Sequence, residues 1–76
     1  MTISDVKNLR EQTPFRPFVI HLTSGAALPV QHAEMLSINP AREDIFILWV
    51  GPSWNFIDVA QIAKLSGVEV EPEGVL

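Results

Sequence analysis

His32-Ala33-Glu34 is the spacing in this chain that comes nearest to chemistry. On an extended strand, residues two apart share a face. An imidazole at 32 and a carboxylate at 34 would then reach one proton or one metal ion. A His-x-Glu pair also occurs in zinc deaminases, where a Pro-Cys-x-x-Cys segment completes the site. This chain has no cysteine, so that ligand set is missing. The plainer expectation is that Glu34 solvates and orients His32 at a strand end.

Arg16 stands between two prolines and two aromatics, in Pro14-Phe15-Arg16-Pro17-Phe18. Each proline fixes its own φ and pushes the preceding residue into extended backbone. A guanidinium on so stiff a segment is well aimed. It is expected to fork onto an internal carboxylate such as Asp58 or Glu34, with a ligand carboxylate or phosphate as the functional alternative. Trp49, Trp54 and Phe56 flank the turn Gly51-Pro52-Ser53. Aromatics there suit a core, an oligomer interface or a stacking platform. His21 reads as a surface or interface residue of a strand, on the face opposite His32. Ser24, Ser37, Ser53 and Ser66 lack a nucleophile motif, and there is no glycine-rich phosphate loop. No cofactor or metal is expected.

Composition narrows the classes. The 76 residues carry five basic against nine acidic side chains, for a net charge of −4. Phosphate-backbone binding normally needs a positive surface, so nucleic acid is disfavoured. Lys7, Arg10, Arg16, Arg42 and Lys64 are scattered, and only folding or symmetry would gather them. The hydrophobic share of 47% is high for so short a chain, yet no apolar run reaches the roughly 18 residues of a membrane span. No basic-then-apolar leader is visible, and a cytoplasmic location is the expectation. A domain this small buries only about 60–65% of its unfolded surface. Without disulfides or a metal, such domains often gain stability by oligomerising.

The elements that must position these residues follow from pattern. Thr2 and Asp5 suit a capping box, and Ile3, Val6 and Leu9 form an apolar stripe, which predicts a helix over about 3–12. Strands are predicted over about 18–23, 26–32, 45–50, 54–57 and 62–65. A three-residue loop, Thr23-Ser24-Gly25 with Gly25 left-handed, sets Phe18, Ile20 and Leu22 opposite Val30, Leu28 and Ala26. A one-residue slip would destroy that continuous apolar face. Pro29 cannot donate to a ladder, so its nitrogen should point away from any neighbouring strand. Residues 34–39 are ambiguous between helix and strand. Ile45–Val50 is apolar without alternation, so both its faces want cover. Asp58 should cap a short helical turn over 58–61, and Ser66-Gly67 should interrupt the last strand. Residues 68–76 read as an extended or frayed tail.

The junction Leu9–Phe18 resembles that of a group of small bacterial proteins. Their shared core runs L-R-x-x-P-F-R-P-F-x-I-x-L-x-x-G, followed by a histidine in the next strand. Leu9 to Gly25 carry it here, with one additional residue between Arg10 and Pro14, and His32 follows. The resemblance implies a fold and no assigned chemistry. The element order is also similar to Sm-like small barrels, which carry an N-terminal helix on five bent strands and assemble into RNA-binding rings.

The expected fold is therefore mostly β (α+β): one domain over 1–76, with an N-terminal helix followed by about five short strands in a bent sheet or small SH3/Sm-like barrel. The expected role is a non-catalytic protein-interaction or regulatory module acting as a homo-oligomer, dimer or higher. Arg16, His32, Glu34, Trp49, Trp54 and Phe56 are its candidate contact residues. An Sm-like RNA-binding ring is the alternative. A small metal- or acid/base-dependent enzyme using His32 and Glu34 is the second.

Overall fold

The helix α1 spans Ile3–Arg10. Its start follows from the capping box: the Thr2 backbone N–H and hydroxyl donate to the Asp5 carboxylate at 3.0 and 3.1 Å. It ends two residues short of expectation, where the Gln12 side-chain amide donates to the Leu9 carbonyl at 2.9 Å. That bond satisfies a last-turn acceptor that no helical N–H can reach so close to Pro14. Eight residues do not hold a helix alone in water. Ile3 and Val6 are buried in the core and hold this one in place.

The computed structural model describes residues 2–67, so the tail expected over 68–76 lies outside the described residues. The fold is mostly β, with six strands where about five were expected. They are β1 (Phe18–Leu22), β2 (Ala27–Val30), β3 (Leu36–Ser37), β4 (Ile45–Val50), β5 (Ser53–Asp58) and β6 (Ile62–Gly67). Two three-stranded antiparallel sheets result, in the orders β2-β1-β6 and β3-β4-β5.

The β1–β2 hairpin adopts the register that aligns its apolar residues. Phe18 faces Val30 and Ile20 faces Leu28. The Gly25 N–H donates to the Leu22 carbonyl at 2.9 Å, and the Leu22 N–H to the Ala26 carbonyl at 2.8 Å. Gly25 has φ +97°, the left-handed backbone that closes this three-residue loop. Hydrogen-bonded pairs alternate along an antiparallel ladder. With Leu22 bonded to Ala26, the Val19–Pro29 pair falls at a non-bonded place, and the proline nitrogen points outward from an edge strand.

Two strand ends differ from expectation by more than one residue, while the cap at Asp58 is the one expected. β2 stops at Val30, and residues 33–35 form a 3₁₀ turn that leads into β3. The ambiguous segment 34–39 is thus a turn followed by a short strand. β6 continues through Ser66 and Gly67, because β1 supplies partners as far as Phe18 opposite Gly67. Asp58 caps a 3₁₀ turn over Val59–Gln61, accepting from the Ala60 N–H at 2.9 Å. Inward residues of both sheets and the helix form one cluster, in which Phe18, Ile20, Phe46, Leu48, Val6 and Val30 are fully buried.

Candidate functional site

Ile45–Val50 wants cover on two faces and receives it on one. Alternation sends Phe46 and Leu48 into the core, while Ile45 and Ile47 remain half-buried and Trp49 is exposed. Gly51 has φ +58° and Pro52 follows it. A left-handed residue followed by a proline-fixed φ is the order of a two-residue type II′ hairpin. The turn sets Trp49 opposite Trp54 and Ile47 opposite Phe56, without a break from Val50–Ser53 to Ile45–Asp58.

The outer face of this sheet is therefore a row of large apolar side chains. Trp49, Trp54 and Phe56 are 42%, 57% and 61% exposed, and Val50 at the turn is 44% exposed. The Trp54 and Phe56 rings meet edge to face, with centroids 5.8 Å apart and planes at 81°. That contact holds the two residues of β5 as one aromatic unit. Beside it a shallow groove of about 380 Å³ runs past Ile38, Asn39, Arg42, Ile47 and Phe56. Arg42 is its cation. Its Nε and Nη2 donate to the two Asp44 oxygens at 2.9 and 2.8 Å. That fork raises the Arg42 pKa and lowers that of Asp44, so the guanidinium at this face already holds a carboxylate.

The other candidate residues do not gather here. His32 precedes the 3₁₀ turn that contains Glu34, and both are exposed. The two-residue spacing was expected to place them on one strand face. The chain has left the strand by then, so strand alternation does not apply. No hydrogen bond joins them among the described residues, and no group of three or more His, Cys, Asp or Glu side chains able to hold a metal is present among those residues. Arg16 is exposed. The expected fork onto Asp58 or Glu34 is not formed: the Asp58 carboxylate accepts from its own turn instead. Beside Arg16, Phe15 packs on Phe18, ring centroids 6.1 Å apart.

One contact joins two residues that the sequence offers no reason to pair. His21 Nε2 lies 2.8 Å from Ser66 Oγ, partly buried between β1 and β6. These residues are 45 positions apart, and a strand ending at Leu65 does not bring Ser66 beside β1. The only signal was register: with Val19 opposite Ser66, His21 reaches it diagonally on the same face. The pair ties two strands together. Among the described residues no carboxylate bonds the other ring nitrogen to orient it as a base.

No family model, curated protein or solved structure matches the chain.

Proposed function

We propose that this protein is a non-catalytic interaction or regulatory module that acts as a homo-oligomer, with the outer face of β4–β5 as its contact surface. The observation that carries this reading is the exposure of Trp49, Trp54 and Phe56 in one contiguous row. Contiguous exposed apolar surface marks interaction sites, and interfaces favour aromatics. The row offers contact area with few charges around it: Asp58 holds its own turn and Arg42 holds Asp44.

An RNA-stacking role for the same aromatics has less support. A single-strand groove combines stacking rings with free cations along the backbone, and the one arginine at this groove is already forked onto a carboxylate. Sedimentation or light scattering at tens of micromolar tests the reading, since standard interfaces reach micromolar affinity or better. A dimer or larger species is expected, and Trp54→Ser should shift it toward monomer. A clean monomer for the unaltered chain overturns it.

A further inference from the structure

Among the described residues the two sheets have four edges, and three of them are protected against pairing. β2 carries Pro29. β3 is two residues long. β6 carries Lys64, and its register against β1 breaks between His21 and Leu22. Proline, short length, lysine and bulges are the devices that blunt sheet edges. β5 has none of them. Its six residues pair with β4 without interruption, and its interior is Trp54-Asn55-Phe56-Ile57.

The hydrogen-bond phase of β5 is set by its turn. In a two-residue hairpin the closing pair, here Val50 and Ser53, is hydrogen-bonded. Alternation then bonds Leu48 to Asn55 and Phe46 to Ile57, and the Val59 N–H to the Asp44 carbonyl at 2.8 Å keeps the same phase. The backbone N–H and C=O groups of Trp54, Phe56 and Asp58 therefore point away from β4, on the side of β5 where no described strand pairs with it. The Asp58 carbonyl also accepts the first bond of the 3₁₀ turn over Val59–Gln61. Two of these three residues, Trp54 and Phe56, also carry the aromatic side chains of β5 on the open face.

We infer that β5 pairs antiparallel with β5 of a second copy, about a two-fold axis at Phe56, joining the two β3-β4-β5 sheets into one. This rests on the homo-oligomer reading above and names its geometry. The strand is self-complementary in this register. Phe56 faces Phe56 of the second copy, and Trp54 faces Asp58 on either side. The N–H groups of Trp54, Phe56 and Asp58 then all gain acceptors, with the Asp58 carbonyl accepting from Trp54 on the lone pair its own turn leaves. Centring on Asn55 or Ile57 instead leaves one outward pair without a partner: Pro52 has no N–H to offer Asp58, and Ala60 lies in the 3₁₀ turn opposite Trp54. Asp58 is the only charged side chain of β5, and the Phe56 register keeps the two copies of it apart. Like charges directly opposite would destabilise the pair. Area points the same way. The three aromatics leave roughly 300 Å² exposed at ordinary side-chain sizes, well below the roughly 800 Å² per partner of a standard interface. The ladder along β5 supplies hydrogen bonds that a face contact of that size lacks.

Amide hydrogen exchange on the full chain, read by NMR at concentrations above and below its dimerisation midpoint, tests this. The amides of Trp54, Phe56 and Asp58 should exchange at least about tenfold more slowly in the dimer, while that of Thr23, already bonded to Gln61, stays unchanged. An oligomer whose three amides exchange as freely as in dilute solution overturns the β5 pairing and leaves the homo-oligomer reading standing. A monomer at all concentrations removes both. Protection of the three amides in a monomer means that residues of the same chain cover the edge, and it also overturns the pairing. Single cysteines in this cysteine-free chain report the register. Phe56→Cys should form the disulfide-linked dimer faster than Asn55→Cys, because facing bonded residues lie about 5.5 Å apart at Cα, within disulfide reach. The reverse order overturns the Phe56 axis.

Discussion

Gly25 separates backbone strain from packing. A Cβ built there would meet no atom within 4 Å, so Gly25→Ala adds no clash and tests only the cost of φ +97°. We expect a loss of about 1 kcal/mol, read as a lower urea midpoint with unchanged slope. Asp5 gives the pH dependence its sign. The Thr2 backbone N–H, then the Thr2 hydroxyl, hold its carboxyl below the ordinary aspartate range. A carboxyl depressed by folding stabilises above its unfolded pKa, and that contribution is lost as pH falls through the folded value. NMR titration should therefore place Asp5 below a free aspartate. Asp5→Asn should remove this part of the acid sensitivity of α1 while leaving stability near neutral pH only slightly lower.

The strand β4 shows how an element divides similar residue types between two jobs. Leu48 is fully buried, while its neighbour Ile47 on the other face is only half-buried. Leu48→Ala should cost about 2–5 kcal/mol through lost burial and the cavity left behind. Ile47→Ala should cost clearly less, and denaturant unfolding of the two variants checks the order. Equal losses would mean that the outer face is covered as well. The β1–β2 hairpin shows the opposite case, in which one alignment of Phe18, Ile20, Val30 and Leu28 satisfies everything. There the loop chemistry and the apolar pattern agree, and the register is legible from residue order alone. For β6 they disagree. Ser66-Gly67 resembles a breaker, and only the presence of β1 alongside makes it strand.

Across the protomer, the margin is narrow. A chain of 76 residues has a net stability of about 4–11 kcal/mol, so a change the size of Leu48→Ala removes a large share. Association adds stability by mass action. The thermal midpoint of the unaltered protein should therefore rise with protein concentration, and that of Trp54→Ser should not. Calorimetry over a hundredfold range, about 2.7 kcal/mol of linkage at most for a ligand in that excess, reads both. A midpoint independent of concentration for the unaltered chain contradicts assembly.

Local physics decided a good deal from the order of residues. The capping box at Thr2, the left-handed Gly25, the outward nitrogen of Pro29 and the cap at Asp58 each depend on neighbours within a few positions. The mostly-β fold follows from alternation and turns of the same short range. The candidate site was legible only in part. Trp49, Trp54 and Phe56 stood out by type, but an apolar run without alternation does not say which face is covered. That answer needed the second sheet, which takes Phe46 and Leu48 and leaves the aromatics outside. His32 with Glu34, and Arg16 with its expected carboxylate, failed for the same reason. Their pairing required a strand to run further, or a distant side chain to be free, and both conditions are set by contacts between segments far apart in the chain. The His21–Ser66 pair is the converse, since two residues with no local signal met because β6 returned beside β1.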